Sequence, residues 1–590
     1  MEQKEPLLAF EFADSNGKIN PITFQNPVSV ITAHKIEDVL PSFQLVQEAV
    51  DKGYYAAGFL SYESAPAFDP SFKVKSGSAY PLLWFGIFKN PQYDQPTSNG
   101  DFSVSEWNPS ITMEAYKQAI TSIKKSIQAG DTYQTNYTIR LHSQFEGDGL
   151  AFYNRLKKAQ NSNYCAYIHT GQHSILSASP ELFFQLDNGK ITTRPMKGTI
   201  KRGASFEEDG ANAHWLFHSE KNRAENLMIV DLLRNDLGMI AESGTVNVEK
   251  LFEIEQYPTV HQMTSTISAK VSESTNMVDI FKALFPCGSI TGAPKISTMD
   301  IIAELEVDPR EVYCGAIGYL TPNKEAIFNV PIRTVLIDHL SGNAVYGVGG
   351  GVTWDSTTEG EYLEILAKAK LLEEKPTEFH LLESLLLDQG DYFLLEEHLK
   401  RLENSARYFG FLFEGEKVRN SLLEYRDSQP NCFIKVRLLL AKNGKVTIEG
   451  QSITQQASIL KVSIADEPVD KTNPFLYHKT TNREIYSKFQ KQKPSEVFDV
   501  LLWNQDGELT EFTNGNVALE INGTLWTPPI ESGLLAGTYR DVLLKTGEIK
   551  EKIMTKSDLK KATRILFINS VRKWKEVHLQ ENLSLLKDMH

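Results

Sequence analysis

The chain has 590 residues, 41% hydrophobic and 23% charged, which is longer than one hydrophobic core ordinarily serves and has a globular rather than a disordered or fibrous composition. A formal net charge of −14 sets the surface as a whole against phosphate backbones and anionic lipid, so nucleic acid and membrane are poor candidates for partners. The opening Met1-Glu2-Gln3-Lys4-Glu5-Pro6 is acidic and no long apolar run follows it, which reads as a chain without signal peptide or membrane span and with a cytoplasmic address.

In chain order, the apolar runs at 55–60, 82–88, 164–168 and 181–186 predict strands. The first hundred residues carry no motif with a nameable chemistry and are read as completing the sheets. Residues 221–236 predict a helix with Ala224, Leu227, Met228, Leu232 and Leu233 on its apolar stripe and Asn222, Glu225 and Arg234 opposite. A second helix is predicted over 359–374, packing through Leu363, Leu366, Ala367 and Leu371, with Glu361, Glu364 and Lys368 together on another face. Pro376 stops it, so a first domain over 1–375 and a second over 376–590 are expected. Leu381-Leu382-Glu383-Ser384 reads as strand, and 397–406 as an amphipathic helix start with Arg401 off its apolar face. Cys165, Cys287, Cys314 and Cys432 lack metal-ligand spacing and read as small buried residues.

Three segments of the first domain hold polar or glycine residues that packing does not require. They are Ser179-Pro180-Glu181 with Arg194-Pro195-Met196-Lys197-Gly198-Thr199, then Gly288 to Lys295, then Gly347-Val348-Gly349-Gly350-Gly351. Together they describe an anion site, in which glycine lets backbone N–H groups approach a ligand and Arg333 offers a fork for a carboxylate. Taken singly, each run is also compatible with a turn.

In combination, SPE, RPMKGT, KNRAENLMIVDLLRND, GSITGAPK, YCGAIGY and the EYLEI helix, over about residues 100–372, resemble the chorismate-utilising enzyme family. That resemblance implies an α+β fold of two large antiparallel sheets with flanking helices, and a site for chorismate with Mg²⁺. It assigns Glu225 and Glu364 as metal ligands, with Glu361 on a metal-bound water, and Thr291, Tyr313, Arg333, His261 and Gly349, Gly350 and Gly351 to substrate binding. Family members that make anthranilate carry alanine where Lys197 stands, whereas those that make aminodeoxychorismate carry lysine. A deprotonated amine there can add to C2 of chorismate and expel the C4 hydroxyl, with Glu181 as general acid. No glutaminase segment is present, so ammonia from a separate glutamine amidotransferase subunit is implied.

In the second domain, Glu397 to Ala406, His478-Lys479-Thr480-Thr481-Asn482-Arg483, Glu508 to Asn516 and Leu535 to Arg540 resemble the class IV, fold type IV pyridoxal-phosphate enzymes. The resemblance implies two α/β subdomains and a site commonly built at a homodimer interface. It assigns Lys479 to the Schiff base with pyridoxal 5′-phosphate, Glu511 to the pyridine nitrogen, and Arg401, Gly537 and Thr538 to the phosphate. The family's tyrosine after the lysine is replaced by Arg483, leaving Tyr486 as the nearby candidate for the phenolate. Lyase and transaminase begin alike; the neighbouring domain favours release of pyruvate to give p-aminobenzoate. An anthranilate-type synthase joined to an aminotransferase, and a non-catalytic docking domain, are the alternatives.

Overall fold

The computed structural model describes residues 5–14, 17–374, 377–429, 433–453 and 460–580. The chain divides into two compact units, Met1–Lys201 with Ala213–Pro376, and Arg202–Asn212 with Thr377–His590.

Two antiparallel sheets, each ten-stranded among the described residues, build the first unit. One orders Gly292–Ala293, Gln134–Gly147, Asn343–Val352, Thr334–Asp338, His173–Ser179, Tyr164–His169, Leu7–Ala13 and Ile19–Gln25. The other orders Met196–Lys201, Val260–Lys270, Lys190–Arg194, Leu182–Asp187, Ala326–Asn329, Ala316–Leu320, Tyr55–Leu60, Leu83–Phe88 and Ser29–Ala33. Alternation along each strand gives every sheet an inner apolar face. Leu8, Phe10 and Phe24 of one pack with Phe59, Trp84 and Phe88 of the other, and the Phe10 and Tyr319 rings meet edge-on at 5.3 Å. The outer faces are covered by helices, including Ile36–Asp51, Glu220–Gly238 and Met277–Leu284 on one and Met113–Ala129 and Gly149–Gln160 on the other. The first hundred residues thus complete both sheets, as expected.

A buried polar knot ties this unit together. Glu306 receives Arg310 Nη2 at 2.6 Å, Arg140 Nη2 at 3.3 Å, and the Thr138 N–H and hydroxyl at 2.9 and 2.8 Å. Arg310 also donates to the Ile290 and Asn136 carbonyls, while Glu63 accepts the Arg310 and Glu311 N–H groups. Burial alone would raise the Glu306 acid, but the two guanidiniums hold it below the usual carboxylate range. Glu306→Gln would leave two buried cations without a counter-charge. It is expected to lower stability by about 3–5 kcal/mol, read as an earlier denaturant midpoint; an unmoved midpoint would show that solvent reaches the knot.

The predicted helices are present, but their buried faces differ from expectation. Helix Glu220–Gly238 buries Asn226, Ile229, Val230, Leu233, Asp236 and Leu237, while Ala224 and Leu227 face solvent. The second helix spans Thr358–Ala369 and tightens into a single 3₁₀ turn over Lys370–Leu372, so it ends short of 374. Leu363 and Leu366 are 65% and 47% exposed and Ala367 is exposed too; Ile365 is the buried residue of the helix, and of the expected stripe Leu371, in the 3₁₀ turn, is buried. The cause is local. This helix turns its charged face toward the glycine strand Asn343–Val352, where Lys368 donates to the Gly349 carbonyl at 2.6 Å, and that rotates the leucines outward.

The second unit contains two sheets. Asp391–Phe393, Leu381–Asp388, Ile434–Leu440 and Val446–Ser452 form an antiparallel four-stranded sheet packed under helices Leu395–Phe409 and Gly415–Asp427. An eight-stranded mixed sheet, with Leu460–Ile464 parallel to both Asp499–Trp503 and Lys573–Leu579, forms the other subdomain among the described residues. Leu381–Asp388 is strand, as expected. Cys165, Cys287 and Cys314 are free and buried; Cys432 and the Lys375-Pro376 link lie outside the described residues. No helix of the described residues is long and apolar enough to cross a membrane.

Candidate functional site

In the first unit the chemistry collects around an irregularity in strand Met196–Lys201. Its register against Val260–Lys270 runs from Met196↔Thr264 to Thr199↔Gln262, one residue more on the Lys197 side, so Lys197 sits in a β-bulge. Gly198 takes φ +97°, a left-handed value that a side chain would strain, and a β-carbon there would press on Asn222 and Met263. Asn226 holds the bulge from beneath, donating to the Lys197 carbonyl at 3.2 Å and accepting from Ser265 Oγ at 2.6 Å. Asn226 was not among the residues expected at the site, because its burial is not legible in the sequence.

Hairpin pairing of Leu182–Asp187 with Lys190–Arg194 brings Glu181 beside the same bulge. Glu181 is buried, and its Oε1 has no hydrogen-bond partner. Burial pushes its acid up to about 7, against the pull of Ser289 and the Lys197 charge. The Lys197 amine is moved down from the usual lysine range, chiefly by burial, with Glu225 opposing. A carboxyl raised toward neutrality beside an amine lowered from the lysine range is an arrangement that can serve as an acid and a nucleophile.

The floor of this cleft is the strand of glycines. A β-carbon on Gly351 would collide with Gln134 Nε2 and Lys197 Nζ, and one on Gly347 with the Tyr313 ring. On Gly350 it would stand 3.1 Å from Glu361 Oε2 and 3.3 Å from Glu364 Oε1, so both carboxylates face this strand. Glu361 accepts from Ser356 Oγ at 2.6 Å, and Glu364 pairs with Lys368 at 2.5 Å. Glu225, raised by burial, interacts electrostatically with Lys197 and Glu364. Among the described residues no three His, Cys, Asp or Glu side chains stand close enough to hold a metal ion by themselves.

The other expected substrate residues are more varied. Arg333 has φ +53°, and its guanidinium interacts with the Tyr346 hydroxyl. Tyr313 is buried with Arg140 over its ring at 5.4 Å. Thr291 is buried and its hydroxyl donates to the Cys287 carbonyl at 3.2 Å, an internal bond. His261 is buried on its strand opposite Ile200. Lys295 of the GSITGAPK run ties back to Asp236 of the long helix at 2.9 Å, so two of the motifs support each other rather than a ligand. Gln134 was missed from sequence: its side-chain amide is buried with neither polar atom hydrogen-bonded, and it lies against the lysine.

In the second unit, a cavity of about 780 Å³ brings together Arg401, Lys479, Tyr486, Glu511, Gly537 and Thr538. Lys479 follows the buried His478 and is fixed through its carbonyl, which accepts from Leu382 N–H at 2.9 Å. Burial first, then the charges of Arg401 and Arg483, lower its amine to about 7. Glu511 is buried, receives Tyr486 Oη at 2.8 Å and Asn516 Nδ2 at 3.3 Å, and is pushed up to about 8 by burial. The Tyr486 hydroxyl is therefore engaged with Glu511 in this structure.

Arg401 is aimed by a residue read only as strand. Glu383 accepts its Nε at 2.9 Å and Nη2 at 2.7 Å, and takes His398 Nδ1 at 2.7 Å. Burial would raise Glu383, but Arg401 and His398 overcome it and hold the acid at about 2. A third Arg401 bond goes to the Ala536 carbonyl at 3.0 Å, which leaves two of its five donors for a ligand. A lone acid among the leucines of 381–387, with Ser384 as the other polar residue, was the available signal, since such a charge is buried only when paired. Gly537 caps helix Thr538–Lys545 with no side-chain hydrogen bond, so the first N–H groups of that helix are available to an anion.

Comparison with known proteins matches a family to each of two stretches of the chain. The profile of the chorismate binding enzymes matches residues 88–374, and that of the amino-transferase class IV domain residues 380–579. Aminodeoxychorismate synthase component 1 of Escherichia coli K12 is 41% identical over 269 residues, 45% of this chain and 59% of that protein. The chain therefore spans about three fifths of the length of that relative. Anthranilate synthase component 1 of Methanothermobacter marburgensis is 32% identical over 340 residues, 53% of this chain and 73% of that one. The crystal structure of anthranilate synthase component I from Streptococcus pneumoniae TIGR4 superposes with TM-score 0.51 at 26% identity, over 63% of this chain and 93% of that one. The chain belongs to the chorismate binding enzyme family, and carries an amino-transferase class IV domain after it.

Proposed function

We infer that the chain makes p-aminobenzoate from chorismate in two steps, amination to 4-amino-4-deoxychorismate in the first unit and loss of pyruvate in the second, the activities dividing near residue 375. The observation that carries the first step is Lys197 in its bulge, its amine lowered, beside a Glu181 held at about 7. The Lys197 amine adds to C2 of chorismate, and the C4 hydroxyl departs with the Glu181 proton. Ammonia then attacks C4 and the bond from C2 to lysine breaks, returning the free amine. The ammonia comes from a separate glutaminase subunit, a reading supported by the "component 1" of the relatives' names.

Glu225, Glu361 and Glu364 would hold Mg²⁺. Two carboxylates over a strand without side chains and a third nearby suit a hard ion that keeps several waters and shares its sphere with an anionic substrate. The ion would supply positive charge for a substrate carboxylate.

Pyridoxal phosphate fits the second cavity through Lys479 for its aldehyde, Glu511 for its ring nitrogen, and the two spare Arg401 donors with the Gly537-Thr538 helix start for its phosphate. When bound it supplies an electron sink. Lys479 Nζ, with its value near 7, takes the proton from the amine-bearing carbon of the substrate, and Glu511, held by the Tyr486 hydroxyl and the Asn516 amide, offers a carboxyl for the ring side of the cavity.

Supplied with chorismate, Mg²⁺, ammonium and pyridoxal phosphate, the protein is expected to release p-aminobenzoate and pyruvate in equal amounts. Anthranilate as the aromatic product would overturn the amination reading. Aminodeoxychorismate that accumulates without pyruvate would overturn the lyase reading alone.

A further inference from the structure

The cavity of the second unit holds more positive charge than a cofactor needs. Six of its lining side chains are Lys or Arg and three are Asp or Glu. Lys479 and Arg401 have roles already described, and Arg483 donates to the Thr513 carbonyl at 2.6 Å and to Asn514 Oδ1 at 3.3 Å while covering the Tyr486 ring. Asp499 accepts from the Thr513 hydroxyl and from the Asn514 backbone and side-chain N–H groups, and Glu511 is engaged with Tyr486. Lys435, Arg437 and Arg572 remain.

These three come from two different elements onto one wall. Lys435 and Arg437 alternate with the buried Ile434, Val436 and Leu438, so both project from the same face of strand Ile434–Leu440. Their cross-strand partners Gln451, Glu449 and Ser384 line the same cavity. Arg572 leaves the turn after Arg564–Asn569, which Asn569 Oδ1 fixes by accepting the Val571 and Arg572 N–H groups at 3.1 and 2.8 Å. Glu449 reaches Arg437 only at 3.8 Å, with both side chains about half exposed, and so offsets little. Lys435, Arg437, Arg483 and Arg572 line one cavity, and the Lys435 amine is lowered by burial and then by the charges of Arg572, Arg437 and Arg483. A face of like charges is destabilising until an anion lies among them.

We propose that Lys435, Arg437 and Arg572 form a carboxylate-anchoring face that selects amines carrying more than one carboxylate. The face fixes those carboxylates while the amino group points toward Lys479, and it disfavours ordinary monocarboxylic amino acids. The proposal rests on the reading of this cavity as a pyridoxal-phosphate amine site.

The test uses the full-length, cofactor-loaded protein with two amine-free probes, isophthalate with two carboxylates and benzoate with one, titrated by calorimetry and by the change in visible cofactor absorbance. Isophthalate is expected to bind roughly tenfold or more tightly than benzoate, the scale of one charge-assisted bond. Arg437→Gln, Lys435→Gln and Arg572→Gln should each erase most of that difference while the cofactor absorbance persists, which shows the fold intact. The calorimetric result is read as wild type minus the triple variant, which cancels anion binding elsewhere on the chain. Equal affinity for the two probes, or isophthalate binding unchanged in the triple variant, would overturn the anchoring face. A wild-type protein with no visible absorbance would instead sink the cofactor reading, and the calorimetric difference would still decide the anchor.

Discussion

Lys479→Ala is expected to give a colourless protein that still aminates chorismate but releases no pyruvate above background. Wild type loaded with pyridoxal phosphate should show the visible absorbance of a lysine-linked cofactor, and borohydride should remove it. The size of the effect follows from the local chemistry: the Lys479 amine is lowered to about 7 by burial and by the neighbouring guanidiniums, and faces Glu511 across the cavity. Its pH dependence has a definite sign. Below about pH 7 the amine is protonated and cannot add to an aldehyde, so the rate of cofactor capture should rise through pH 7 and level off above it. A capture rate that rises only near pH 10 would mean that water reaches this lysine as it reaches a surface one.

The second large effect is expected at Glu181. Glu181→Gln keeps the shape and removes the proton, and should lower amination by about 10²–10⁴-fold, the usual contribution of a positioned acid. Pyruvate release from supplied aminodeoxychorismate should be unchanged. Because the acid is held at about 7, the wild-type amination rate should fall as pH rises through that value, where the carboxyl loses the proton that the leaving hydroxyl requires. The lowered Lys197 amine acts in the opposite sense, since it must be deprotonated to attack, and the product of the two gives a bell-shaped profile. In the glutamine variant the high-pH limb should disappear. A variant with wild-type rate and an intact limb would remove Glu181 from the chemistry.

Elements were legible where periodicity is dictated by burial on one side. Residues 55–60 are all apolar or small and form the strand Tyr55–Leu60 to the residue, because a strand covered on both faces needs no polar alternation. Helix existence was equally clear, whereas helix orientation was not. Leucines at 363 and 366 are the natural core choice for Thr358–Ala369, yet that helix turns Glu361 and Lys368 inward, since the strand it meets presents bare glycine backbone and carbonyls rather than apolar side chains. The hydrophobic pattern reports what a helix would bury against an ordinary core, and at a polar cleft it points the wrong way. Lys197, Glu181, Lys479 and Glu511 became candidates through the motifs around them, not singly, and all four are buried with shifted acid–base character. Residues that act by holding another are harder to see: Asn226 under the bulge looks in sequence like any asparagine in a helix, and Glu383 behind Arg401 is marked only as an acid among leucines.

The extra residue between Met196 and Thr199 has a bearing on how this protein can change. A regular ladder through that stretch would satisfy more backbone and need no left-handed glycine, so shortening the chain by one residue there would suit the sheet while rotating Lys197 to the opposite face. Selection for thermal robustness and selection for turnover thus pull on the same peptide in opposite directions. Gains in hardiness for this enzyme lie elsewhere, for example in the solvent-facing leucines at 363 and 366, where replacement touches neither the ladder nor the amine.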